Sequence, residues 1–114
     1  MNNLPTATLF KVKPKKLEIW KDWCKQLQNE YNEEAIQTLE EENVICEFFV
    51  TYTVDDVSHT LGFALTPDGS EPLDASTERE LNHKHKSKKR ECLEFIAHVP
   101  FSYYLYRFKD LNRV

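Results

Sequence analysis

The 114-residue sequence predicts an α+β domain in which two principal helices cover one face of a four-stranded antiparallel sheet. Three observations point there. Strand-like and helix-like patterns follow one another in the order β-α-β-β-α-β. The length suits a single domain large enough to bury its own core. Apolar residues also fall on both faces of the predicted sheet, more than two helices on one side can cover.

The elements follow in order. Residues 6–13 (TATLFKVK) alternate as a first strand, Phe10 and Val12 on one face, Leu9 and Lys11 on the other. Pro14 then stands where a helix begins, a position that tolerates its missing N–H. Leu17, Trp20, Cys24, Leu27 and Tyr31, with Trp23 beside them, form a buried helical stripe. The pattern continues through Ala35, Ile36 and Leu39, but one helix over 15–42 would be about 40 Å long, awkward for so small a domain. Asn32 followed by Glu33 and Glu34 reads as a fresh N-cap with an acidic first turn, so a break is predicted near Asn32.

Residues 44–53 (VICEFFVTYT) are the strongest strand. Cys46, Phe48, Val50 and Tyr52 share one face; Ile45, Glu47, Phe49 and Thr51 share the other. Asp55-Asp56 reads as a short hairpin turn into a partner strand over 58–65, which Pro67-Asp68-Gly69 ends. Thr77 with Glu80 three residues later is a capping box that opens the second main helix. Its stripe is Leu81, His85, Lys88, Cys92, Phe95 and Ile96. Pro100 closes that helix, and residues 101–108 (FSYYLYRF) supply the last strand. Leu9, Ile45 and Phe49 are expected on the sheet face away from the helices, where the simplest cover is a second copy, giving a homodimer.

Composition removes several function classes. Gly62 and Gly69 are the two glycines, too few and wrongly spaced for a P-loop or a dinucleotide fingerprint. Cys24, Cys46 and Cys92 make an odd, scattered set with no C-x-x-C, so neither a disulfide framework nor a structural zinc site is expected. No apolar run approaches the roughly 20 residues of a membrane span, and the N-terminus lacks a secretory pattern. The expectation is a soluble, cytoplasmic protein with no membrane partner. Net charge is −4, with residues 1–57 carrying six Lys/Arg against eleven Asp/Glu, a poor balance for binding nucleic acid. No metal or cofactor is implied by any motif.

The strand-Pro-helix opening around LFKVKPKK, the Trp-containing helix, Glu47 within ENVICEFFV, and His85 and Cys92 seven apart within HKSKKREC together carry a resemblance. The chain resembles the dimeric α/β-barrel superfamily of ferredoxin-like domains, and within it a group of small bacterial proteins of unknown function. The resemblance covers most of residues 7–109 and implies two ferredoxin-like sheets packed face to face. Antibiotic-biosynthesis-type monooxygenases, haem-degrading monooxygenases and sugar mutarotases share that architecture, but a shared fold transfers no activity. In the haem-degrading enzymes a histidine of the second helix approaches a pocket between helices and sheet, and His85 resembles it.

The candidate functional residues each admit a plain structural reading. His85, on an apolar stripe, is either an acid, base or ligand, or a buried histidine hydrogen-bonded in the core. Glu47, mid-strand among aromatics, either meets His85 as an acid/base pair or bonds across strands to Lys11 or Arg107. As the faces are assigned, the two lie on opposite sides of the sheet. Trp20, Tyr104 and Cys92 are the expected ligand-binding residues between sheet and helices. Trp20 equally fits a core, as do Cys92, Cys24 and Cys46. The basic run 83–90 (HKHKSKKR) is either a solvated helix face or an interaction surface, with acidic residues 40–42 of another subunit as a conceivable partner. His83 and His85, two apart on a helix, do not form a metal pair. Small-ligand binding is therefore expected. An enzyme of the monooxygenase or isomerase kind, using His85 with Glu47, and an interaction module using the basic helix are the alternatives.

Overall fold

The computed structural model describes residues 6–67 and 69–105. Seven elements follow one another: β1 (Thr6–Val12), α1 (Leu17–Gln28), α2 (Asn32–Glu41), β2 (Cys46–Val54), β3 (Val57–Leu65), α3 (Glu80–Cys92) and β4 (Leu93–Pro100). The strands form one sheet in the order β2-β3-β1-β4, every neighbouring pair antiparallel. β1 and β2 therefore run parallel to each other with β3 inserted between them. This is an α+β domain with a four-stranded antiparallel sheet and three helices.

The helical break falls where the sequence places it. α1 ends at Gln28 and α2 begins at Asn32, which is the first helical residue rather than the cap. The β2–β3 hairpin turns on Asp55 and Asp56, both at positive φ (51° and 64°), as a two-residue turn of the primed kind requires.

Several expectations are overturned. The last strand is Leu93–Pro100, not 101–108; Phe95 and Ile96 belong to it rather than to the helix before it. No breaker residue separates helix from strand. Instead Leu93 turns to extended backbone directly after Cys92, and the Cys92 carbonyl accepts from Lys13 N–H at 2.7 Å. Residues 101–105 have no regular structure, and 106–108 lie outside the described residues. The capping box does not form either. α3 starts at Glu80 without a side-chain cap, and the Thr77 carbonyl is bonded to the His83 ring instead.

The faces of β2 are also the reverse of the expectation. Trp20 Nε1–H donates to Thr51 Oγ1 at 3.2 Å, and the Trp20 ring meets Phe49 edge-on at 5.8 Å. Glu47, Phe49 and Thr51 thus face the helices. Leu9 keeps its expected place on the far side, and Ile45 precedes the strand. Phe48, Val50 and Val54 face away from the helices, 45–58 % exposed. Phe48 stacks on Phe63 there, at 4.8 Å between centroids. Both faces of β2 carry aromatics, so alternation alone does not say which is inside.

The core lies at the end of the sheet where α1 and α3 cross it. Val12, Trp20, Trp23, Leu81, Cys92 and Leu93 form it. A bulge between Leu9 and Phe10 shifts the β1–β4 register and sets Phe95 opposite Phe10, His98 opposite Thr8.

Gly62 is required for packing rather than for a turn. A Cβ added there would come within 2.7 Å of Phe49 Cε2 and Cζ. That ring cannot yield freely, because it is held against Trp20 and Phe10. Gly62→Ala is expected to lower stability by about 1–3 kcal/mol in urea denaturation. The same change in a Phe49→Leu background should cost distinctly less, which the double-mutant cycle reads directly.

Candidate functional site

The opposite end of the sheet is not covered by α1 or α3, and a cavity of about 730 Å³ opens there. Phe10, Phe49 and Gly62 floor it; Thr8 and His98 contribute from β1 and β4. Glu42 and Val44 come from the α2–β2 connection, Lys89 from α3, and Tyr104 from the segment after β4.

The chain that closes the remaining side is held by a side-chain bond and a backbone bond. Thr66 Oγ1 donates to the Ser70 carbonyl at 2.6 Å, across a turn in which Gly69 takes φ 76°. Leu73 N–H then reaches back to the Glu42 carbonyl at 2.9 Å. This ties the segment after β3 to the end of α2, beside the carboxylate it helps to enclose. Asn43, at φ 57°, ends α2 in the left-handed region and turns the chain toward β2.

Glu42, Glu47 and Glu71 line the cavity together with the ammonium of Lys89. Glu47 is an exposed residue at the cavity; desolvation of its carboxyl raises its pKa, against the pull of Lys89. Glu42 is raised too, first by desolvation, then by the negative charges of Glu47 and Glu41, again opposed by Lys89. Lys89 places its Nζ 5.8 Å from the centroid of Phe10 and 5.7 Å from that of Phe49. Among the described residues no ion pair within 4.0 Å joins it to either carboxylate. The ammonium rests on the aromatic floor and acts on the acids through space. On the other wall, His98 Nδ1 lies 3.4 Å from Thr8 Oγ1.

The residues singled out from sequence divide accordingly. Glu47 and Tyr104 line the cavity. Trp20 and Cys92 do not; both are sealed in the core, at 1 % and 0 % exposure, and burial raises the Cys92 thiol pKa. Burial also pushes Cys24 up to about 11. Glu47 and Lys11 are not partners, since Lys11 stands on the outer face opposite His59 and Glu94. Arg107 lies outside the described residues.

His85 is not among the cavity-lining residues. Its Nδ1 accepts from Trp23 Nε1–H at 2.9 Å, and the rings stack at 6.0 Å. That bond assigns the remaining proton of the neutral ring to Nε2. Desolvation, followed by the nearby Lys89 charge, lowers its pKa to about 4.

The basic run disperses around α3. Lys84 donates to Tyr31 Oη and lies over the Trp23 and Tyr31 rings. Lys88 approaches Glu91, and Lys89 turns into the cavity. Glu41, a conceived intersubunit partner of that run, is bound by Arg79 of its own chain, which holds its carboxyl below the usual range.

Lys89, Glu42 and His98 were not singled out from sequence. Lys89 carries a usable signal, four residues after His85 and eight after Leu81 on the same stripe. His98 carries none while its segment is read as helix.

The model of a family of unknown function (DUF6176) matches residues 5–108 of the chain. No curated protein and no solved structure matches it.

The half-buried His85 makes stability pH-dependent. The folded pKa lies below the ordinary 6.5, so between about pH 6.5 and pH 4 the unfolded chain binds a proton that the folded one refuses. Stability from this group is intact above that window and is lost as pH falls through it, by roughly 2–3 kcal/mol at pH 4.5. His85→Gln, which keeps an acceptor for Trp23 without titrating, is expected to flatten that acid limb. Urea denaturation of both proteins at pH 7 and pH 4.5 measures it.

Proposed function

The chain belongs to this family of unknown function, and we propose from the cavity itself that it binds a small ligand between sheet and helices, without a bound metal or cofactor. One observation carries the reading. The cavity combines an apolar aromatic floor with a few inward-facing polar groups, the composition expected of a site that orients a compact molecule. Its volume falls within the range of small-molecule sites. Glu47 and Glu42 are the acidic groups that would bond the ligand, and desolvation raises the pKa of both.

We also infer a ferredoxin-like ancestry and a homodimer. The pairing of parallel β1 and β2 around β3, with α2 as an addition, supports the first. The apolar side chains on the uncovered sheet face, among them Phe48, Val50 and Val54, support the second.

The second reading is an acid/base enzyme using His85 with Glu47. Lys89 favours it to the extent that its charge reaches both groups. Against it stands the Trp23 hydrogen bond, which occupies His85 Nδ1. Binding therefore ranks first. Among the described residues no helix is long and apolar enough to cross a membrane, and no cluster of three His/Cys/Asp/Glu is arranged to hold a metal.

A thermal-shift screen of small amines, polyols and carboxylic acids tests the binding reading. At least one class should raise the melting midpoint of the wild type and lose most of that effect in Glu47→Gln. A screen with no shift removes the reading; a shift that survives in Glu47→Gln but not in His85→Gln favours the alternative. For the dimer, sedimentation equilibrium should find twice the chain mass, falling to one chain for Val50→Lys. A wild-type monomer at every concentration overturns it.

A further inference from the structure

The proposal concerns the chemical class of the ligand, and it rests on the binding reading above. We propose that the cavity takes a small organic cation, a primary ammonium on a flat apolar body. Its charge lies between Glu42 and Glu47 and its body on the rings of Phe10 and Phe49, in exchange for the Lys89 ammonium.

Three observations converge on a cation, the last two sharing the contact of Lys89 with the Phe10 and Phe49 rings. The first is the balance of fixed charge. Glu42, Glu47 and Glu71 line the cavity, and Lys89 is the one Lys or Arg among the described lining residues. Such a site attracts cations and repels carboxylates and phosphates. The second is the aromatic floor. The Phe10 and Phe49 rings lie within 21° of parallel, their centroids 6.4 Å apart, and present their faces to the same ammonium. The negative quadrupole of a ring face favours a cation and offers stacking area to a flat apolar group.

The third observation is where Lys89 sits. A charged lysine on α3 has water available, yet its Nζ rests 5.7–5.8 Å from two ring centroids. It stays there without closing an ion pair to either carboxylate among the described residues. The protein's own ammonium thus occupies the aromatic floor on which the ligand's body would lie. Lys89 is long and tethered at one end, so it can withdraw toward solvent when a better-fitting cation arrives.

The cost of entry is the displacement of Lys89. That gives the proposal a signature beyond simple attraction: removing the lysine should strengthen cation binding, whereas at an anion site it would abolish binding.

Isothermal titration of the full chain at pH 7.5 with three matched probes tests it. These are phenethylamine, 3-phenylpropanoate and 3-phenylpropan-1-ol, all with an aromatic body and differing in charge. Phenethylamine should bind at least tenfold more tightly than either companion. Its affinity should fall about tenfold in Glu47→Gln and rise several-fold in Lys89→Met. Glu42→Gln supplies a second loss variant should Glu47→Gln fail to fold, and circular dichroism checks each fold. Tighter binding of 3-phenylpropanoate, or weaker phenethylamine binding in Lys89→Met, overturns the cation assignment while leaving a ligand site in place. Equal binding of all three does the same. No binding by any of them overturns it too, and the thermal-shift screen then decides separately whether the binding reading stands.

Discussion

Burying two indole rings under one short helix requires two acceptors for their N–H groups, and the rest of the domain is arranged around supplying them. Trp20 and Trp23 are 1 % and 0 % exposed. An unsatisfied N–H at either place would forfeit much of the gain from burying the ring. Thr51 of β2 accepts from Trp20, donates in turn to Thr60 of β3, and Thr60 closes on the Val50 carbonyl. His85 of α3 accepts from Trp23. One helix is thereby pinned to β2 and to the helix beside it. Because both anchors lie toward one end of the sheet, the other end is left open, and the cavity occupies it.

How much of this is legible in the sequence depends on where the deciding force acts. Local forces are legible. The break at Asn32 follows from an acidic first turn, and the hairpin from two aspartates that tolerate positive φ. The faces of β2 are not, because Phe48 and Phe49 offer equal apolar cover on either side. Only the need of a distant indole for the Thr51 hydroxyl selects the inner face. The last strand is misread for a related reason. Residues 93–96 continue an apolar helical stripe, and it is pairing with β1 that makes them extended. Glu47 and Tyr104 are recognisable as unusual residues; Lys89 hides inside a basic run, and its role exists only once Phe10 and Phe49 are beneath it.

That run shows how a helix with little apolar face is held in place. Among the residues of α3, Leu81 and Cys92 are buried, one near each end. Between them Lys84 and Lys89 place their ammonium groups over aromatic rings. Just ahead of the helix, Arg79 pairs with Glu34 and Glu41 and bonds Gln37, drawing α2 alongside. Single exposed ion pairs contribute little, but one guanidinium shared among three partners on one helix fixes an orientation. In the basic run that looks like an external docking surface in the sequence, Lys84 and Lys89 are turned to contacts within the chain, while Lys86 and Arg90 stay exposed.

The direct passage from α3 into β4 has a consequence for how the chain tolerates change in length. Strand side chains alternate with a period of two, and helical ones advance by about 100° per residue. With no linker between Cys92 and Leu93 to absorb an extra residue, an insertion there must reverse every side chain of β4 or rotate Lys89 off the aromatic floor. Either result separates His98 from Thr8, or the lysine from the cavity. The residues between β3 and α3 are under no such constraint, since they are attached at a few backbone points and end in no strand. Length variation in this fold belongs between residues 70 and 79, while the 92–93 junction acts as a fixed phase mark between helix and sheet.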